Sequence, residues 1–260
     1  MSLERLKTRY TGQTAATYNQ RKHEQAHWWA EQDITARMLA GIASEQRRSV
    51  RVLDIPVGTG RFLSAYRELG MQAVGYDISA DMLDEARREA ERLRYSPELR
   101  EANITSLPLE NGAVDVVVCM RFLNHLEFGE LERVLAELVR VTRLDLIATA
   151  GSRTGRARAK TPASKGAGPA TLSVSVERTA RLVIRGLKHP VGAVRSLIRR
   201  TSGKSGYTVD DVLAVFARHR LTIKEQATIT DERRPVTDEK REYFIFHLRK
   251  ASPGILAHVE

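Results

Sequence analysis

Apolar and polar residues follow two periods along this chain, and the switches between them mark its elements. Ile34, Met38, Leu39 and Ile42 recur at helical spacing within residues 13–47, behind a stretch of aromatic and basic residues, so this region predicts helix that packs on a domain. The run from Val50 to Ile55 is a short buried-strand candidate. A glycine turn follows it, then the helical pattern Phe62, Leu63, Tyr66, Leu69, closed by Gly70. A second strand, Ala73 to Tyr76, ends at Asp77. Ser79 and Asp81 then stand where a helix wants capping groups. After a loop over 103–111 come a continuous apolar strand over 114–120, a helix over 129–142 and a strand over 144–149. Strands alternating with helices imply a parallel sheet covered on both faces.

Further on, Thr208 with Asp211 resembles a capping box ahead of the apolar stripe Val212, Leu213, Val215 and Phe216. Residues 221–229 and 242–248 show roughly alternating apolar positions and predict a terminal strand pair, joined by a charged turn over 231–240. These patterns divide the chain into an N-terminal helical cap (1–47), an α/β core (48–150), an inserted segment (151–206), a C-terminal part of the core (207–250) and a tail (251–260).

Charge singles out the insertion. The chain carries a formal net charge of +10, and residues 151–206 hold thirteen lysines and arginines against one acid, Glu177. The segment opens with a Ser, Ala, Gly, Lys and Arg-rich stretch, expected to be partly flexible because it buries little surface. Its second part sets Val176, Ala180, Ile184 and Leu187 against a stripe of Arg178, Arg181, Arg185 and Lys188, and a similar pattern resumes after Pro190. Two basic amphipathic helices are expected here, suited to an anionic partner. The 42% hydrophobic and 28% charged content is that of a soluble globular protein. The first ten residues carry four charges and no apolar run, so no secretory signal is expected. With no long apolar span and a single cysteine, Cys119, the chain suits a reducing cytoplasm. Cys119 reads as a buried thiol, and no metal site is expected.

The chemistry concentrates in Val52-Leu-Asp-Ile-Pro-Val-Gly-Thr-Gly-Arg-Phe62. Gly58 and Gly60 let the backbone turn tightly off the strand and approach a ligand, since neither has a Cβ. Asp54 is placed to hydrogen-bond that ligand. Asp77 ends the second strand about 20 residues after the glycine turn, the spacing at which one carboxylate accepts from both hydroxyls of a ribose. A dinucleotide fingerprint requires a third glycine where this chain has Leu63. The ligand is therefore expected to be a nucleoside without phosphates.

On these residues the chain resembles the class I methyltransferases that use S-adenosylmethionine (SAM), in particular the subgroup of ubiquinone and menaquinone biosynthesis. The likeness runs over residues 18–149 and resumes from Tyr207. It implies a Rossmann-like α/β fold: a seven-stranded, mostly parallel sheet with helices on both faces, an antiparallel terminal strand pair, and the basic helical insertion after the fifth strand. It implies SAM as cofactor, with Asp54, Pro56, Gly58 and Gly60 along its methionine and ribose parts. Pro56 stands in place of the more usual first glycine and Val57 in place of a common cysteine. Asp77 would take the ribose, with Ile78 beside the adenine and Met82 in the following helix. Asn103, where the family usually has an aspartate, would accept from the adenine amino group, next to Ile104. Met120 and Arg121 would lie near the donor. Tyr18, Arg21, His27, Trp28 and Trp29 suggest a lid.

Acceptor chemistry is written less clearly. His125 is a candidate general base and Arg121, with Asn124, a candidate orienter of an anionic acceptor. A small-molecule or lipid-linked acceptor is expected, met by an enzyme whose 151–206 segment can lie peripherally on the inner face of an anionic membrane. Nucleic acid is the alternative partner. The lack of Phe, Tyr and Trp in that segment weighs against it, and it also weakens the membrane contact. A partner protein that has lost catalysis is a further alternative.

Overall fold

Five strands are hydrogen-bonded in parallel at the centre of the structure, a computed structural model that describes residues 8, 10–19, 26–153, 173–177, 209–231 and 241–251. In chain order the elements are α1 (Gln13–Ala16), α2 (Ala26–Glu45), β1 (Arg51–Asp54), α3 (Leu63–Glu68), β2 (Gln72–Asp77), α4 (Ala80–Leu93), β3 (Glu98–Glu101) and β4 (Val114–Cys119). A single turn of 3-10 helix (Leu123–His125) leads to α5 (Phe128–Val141), β5 (Thr142–Arg153), β6 (Ser173–Glu177), α6 (Val209–Arg218), β7 (Leu221–Asp231) and β8 (Arg241–Lys250). The sheet order is β3-β2-β1-β4-β5-β8-β7-β6. β3 to β5 run parallel, and β8, β7 and β6 each pair antiparallel with their neighbours.

Strand side chains alternate between two cores, which is why the central strands read as unbroken apolar runs. Leu53, Val117, Leu146 and Phe246 enter one core, closed by Leu131, Val134, Leu135 and Leu138 of α5 and by Val212, Val215 and Phe216 of α6. Val52, Val116, Val118, Ile147 and Ile245 enter the other, under Ile34, Met38, Leu39 and Ile42 of α2 and Leu63 and Tyr66 of α3. Cys119 is the expected buried thiol. Ser79 caps α4 as expected, its Oγ accepting from Met82 N at 3.3 Å.

The Rossmann-like fold stands, with one correction. Of the N-terminal region expected to be helical, α1 and α2 are described, and residues 20–25 lie outside the described residues. The sheet has an eighth strand: Ser173–Glu177 pairs along β7 from Ser173↔Thr230 to Glu177↔Gln226. Ser-Val-Ser-Val alternates with period two, and an open sheet edge captures such a run. Val176, expected to open a basic helix, is therefore in a strand; the rest of both expected helices, and Thr208 of the expected capping box, lie outside the described residues.

At the amino end of β4, Asp115 has a fully buried side chain. It accepts from Arg48 Nη1 at 2.8 Å, from Arg51 N at 3.0 Å and from the Arg143 guanidinium. These partners outweigh desolvation and hold its pKa down at about 2. A folded-state pKa below the ordinary value stabilises at pH above about 4, and that contribution disappears as pH falls toward 2. Replacing Asp115 by Asn is expected to cost about 2 kcal/mol at pH 7 and almost nothing at pH 2, read from urea unfolding at both pH values.

Candidate functional site

The strand order reverses between β1 and β4, and a crevice opens beyond the carboxyl ends of such strands at that point. Asp54 ends β1, Asp77 ends β2, and Met120 follows β4. Gly58 and Gly60 form the bend after β1 with φ of 56° and 78°. A Cβ on Gly60 would sit 2.7 Å from Leu63 Cδ1, whereas one on Gly58 would meet nothing within 4 Å. Gly60 thus closes the bend onto α3, and Gly58 keeps backbone open toward the crevice.

Asp77 is docked onto that bend. Its Oδ2 accepts from Gly58 N and its Oδ1 from Ser79 N, both at 2.9 Å. Burial nevertheless pushes its pKa up to about 6, with the backbone donors opposing. Asp54 is 2% exposed, and its pKa is pushed up to about 8 by burial and, less, by the Asp77 charge. The Tyr66 hydroxyl lies near enough to oppose this, but Asp54 Oδ2 makes no hydrogen bond of acceptable geometry. A buried carboxylate oxygen without a partner is costly unless a ligand completes it.

The N-terminal segment is pinned over the crevice by polar contacts. Thr59 Oγ1 donates to Asn19 Oδ1 at 2.7 Å, Ser79 Oγ to the Tyr10 carbonyl at 2.6 Å, and Gly12 N to Asp81 Oδ2 at 2.6 Å. Tyr18 packs edge-on between Tyr10 and Trp28. The Arg61 guanidinium lies 3.6 Å from the centre of the Trp28 ring, a cation–π contact. What is left open, between Tyr18, Trp28, Asp54, Gly58, Arg61 and Arg121, is about 60 Å³. Ligand sites for small molecules typically hold several hundred Å³, so a nucleoside needs more room than stands open here.

Of the residues expected at the site, Tyr18, Asp54, Pro56, Gly58, Met120 and Arg121 line the cavity, and Asp77 holds its bend. Gly60 acts through the turn. Ile78 is half-buried beside Asp77, and Met82 and Ile104 are buried. Asn103 Oδ1 already accepts from Thr105 N at 3.0 Å and Thr105 Oγ1 at 2.9 Å, which commits the oxygen expected to meet an adenine amino group. His125 sits half-buried in the 3-10 turn and is not among the lining residues. Arg21 and the His27 side chain lie outside the described residues, and Trp29 is 46% exposed. Sequence reasoning missed Glu31 and Arg61. Glu31 is fully buried and ion-paired to Arg61 at 3.0 Å and to Arg121 at 3.2 Å. Arg121 itself has a left-handed φ of 57°, strain of the kind that collects at functional sites.

Residues 52–145 match the family described as a methyltransferase domain. That match takes in 94 of the 260 residues. Relatives of the chain include the malonyl-[acyl-carrier protein] O-methyltransferase of Pectobacterium atrosepticum, 37% identical over 36% of this chain and 35% of that protein. The demethylmenaquinone methyltransferase of Thermus thermophilus is 34% identical over 42% of this chain and 50% of its own length. The match thus spans between about a third and half of these curated relatives. In fold, the chain is similar to magnesium protoporphyrin IX methyltransferase from Synechocystis with bound SAH, at a TM-score of 0.62 over 95% of this chain and 99% of the other, with 13% identity.

SAM fits the residues of the methyltransferase domain. Asp77 retains lone pairs for ribose hydroxyls, Asp54 Oδ2 lacks a partner, and Gly58 presents bare backbone. Among the described residues no cluster could hold a metal ion and no helix is long and apolar enough to cross a membrane.

Asp54 also predicts a trade of stability against binding. A folded-state pKa raised to about 8 favours folding with the carboxyl protonated, so that contribution is intact below about pH 4 and is lost progressively toward pH 8. Asp54→Asn is therefore expected to match the wild-type melting temperature at pH 4 and to exceed it at pH 8, by roughly 2–4 °C for each kcal/mol recovered. The same variant is expected to bind S-adenosylhomocysteine (SAH) more weakly. A melting series over this pH range and a calorimetric titration check the two halves.

Proposed function

We propose that this chain is a SAM-dependent methyltransferase acting on an O or N atom of a small-molecule, lipid or lipid-linked acceptor that is anionic or seated at a membrane surface. The observation that carries the donor half is the Asp77 carboxylate fixed on the Gly58 N–H beside the unpartnered Asp54 Oδ2. The acceptor half is supported by two arginines, Arg61 and Arg121, in the wall of the same cavity. The basic composition of 151–206 adds to it, through attraction to anionic lipid head groups. A relative named for a malonyl acceptor is consistent with it, since a malonyl group carries a carboxylate.

In this reading SAM supplies a methyl group on a charged sulfonium leaving group, so little acid–base chemistry is asked of the protein. Positioning then supplies much of the rate. Asp77 and the glycine bend fix the nucleoside, while Tyr18 and Trp28 exclude water. His125, half-buried in the 3-10 turn after β4, is the general-base candidate for an acceptor that has a proton to lose.

Two measurements test the two halves. SAH is expected to bind the purified chain in calorimetry, and Asp77→Ala is expected to weaken it by at least about 100-fold through loss of charge-assisted bonds to the ribose. Absence of heat and of a thermal shift at millimolar SAH overturns the donor half. Incubation with methyl-labelled SAM and a fractionated lysate is expected to label the lipid or small-molecule fraction; label confined to RNA overturns the acceptor half.

A further inference from the structure

Tyr66 on α3 is fully buried in the same apolar core as Ile34, Met38, Leu39 and Phe62. A phenylalanine would fill that space equally well, yet this residue brings a hydroxyl that is shut away from water and makes no hydrogen bond of acceptable geometry. The group it lies against is Asp54, whose Oδ2 is likewise buried and without a partner. Two unmet polar atoms, one a donor and one an acceptor, thus stand together behind the crevice that Asp54 lines.

The titratable and charged groups around the pair are Asp77 from β2, Arg61 from the bend and Cys119 from β4 beside Asp54, and Tyr95 beside Tyr66. Among them Tyr66 is the one within hydrogen-bonding reach of Asp54, favouring its ionised form, while Asp77 opposes it. Burial, and then the nearby Asp54 charge, keep the phenol well above its ordinary pKa, so it remains a donor. A phenol donates more strongly to a carboxylate than to a neutral carboxylic acid. The contact therefore gains strength whenever something in the crevice draws Asp54 into its ionised form.

We propose that Tyr66 is a positioning residue for donor binding: its hydroxyl donates to Asp54 Oδ2 and holds that carboxylate ionised and turned in one direction while a ligand engages it from the crevice. The inference rests on the donor half of the proposed function and deepens it. The N–H and O–H groups of the ligand need a carboxylate that only accepts, so binding at pH 7 passes the Asp54 proton to solvent.

Tyr66→Phe keeps the ring and removes the hydroxyl. SAH is titrated calorimetrically into both proteins from pH 7 to pH 9, above the pH of about 6 at which Asp77 changes charge, in paired buffers of different ionisation enthalpy. Wild-type affinity is expected to rise with pH and level off at about pH 8, with close to one proton released per SAH at pH 7. Tyr66→Phe is expected to bind SAH about tenfold more weakly at pH 7, with a deficit that narrows as its own rise continues to about pH 9. A hydroxyl that only supported the fold would lower affinity by one factor at every pH. That outcome, or a variant that binds like wild type, overturns the inference. If wild-type protein binds no SAH, the methyltransferase reading is refuted, and melting of the ligand-free proteins decides the role of the hydroxyl. The stability lost through Asp54 levels off at about pH 8 in wild type and is expected to go on falling to about pH 9 in Tyr66→Phe, whereas coincident melting profiles overturn the inference.

Discussion

The hydrogen bond from Gly58 N to Asp77 Oδ2 joins the bend after β1 to the tip of β2, and the rest of the site is arranged around it. Backbone bonds from Val57 N to the Tyr76 carbonyl at 2.8 Å and from Gly60 N to the Val57 carbonyl at 3.1 Å shape the bend itself. With the bond to Asp77, the backbone that faces the crevice and the carboxylate that faces it share one rigid unit. The same carboxylate takes Ser79 N, so the start of α4 is tied to that unit, and Ser79 Oγ carries the tie on to Tyr10 in the N-terminal cover. One buried group thus connects donor recognition to the segment that shuts the crevice.

Carboxylates at the two ends of the sheet are treated in opposite ways. At the amino ends, Asp115 is surrounded by Arg48, Arg143 and a backbone N–H, and Asp145 by Arg249 and His247, which lower both pKa values. At the carboxyl ends, burial dominates at Asp54 and Asp77, neither of which is hydrogen-bonded to a cationic side chain, and both pKa values rise. Saturated charges stabilise the fold at neutral pH, and unsaturated ones destabilise it until something binds. The polarity of a parallel sheet therefore separates an end that contributes stability from an end that holds binding capacity.

Much of the fold was legible because its information is local. Gly58, Gly60 and Asp77 lie within twenty residues of one another, and their turn, cap and strand signals need no knowledge of distant contacts. The two buried cores followed from apolar runs in β1, β4 and β5. The edge strands did not follow. β3, Glu-Leu-Arg-Glu, is half-buried or exposed and carries a polar sequence, and β6 lies in a segment whose basic stripe overlaps helical spacing. Their pairing is decided by the open edges of β2 and β7, which no local pattern displays. Glu31 and Arg61 escaped for a related reason: a glutamate on a helix and an arginine after a glycine each read as solvent-facing until the fold brings them to 3.0 Å.

That distinction explains why a domain match can name the donor without naming the acceptor. The residues fitted to SAM, from Asp54 to Asp77, come from one contiguous β-turn-α-β segment inside the matched 52–145. The rest of the cavity wall draws on Tyr18 and Trp28, and on Arg61 and Arg121 held by Glu31. Three of these five lie ahead of the match, on the cover and on α2. A substitution there changes the shape and charge of that wall without altering the Asp54-to-Asp77 segment. Acceptor choice can then diverge among chains that keep the same donor-binding segment, because the two parts of the wall come from different stretches of chain.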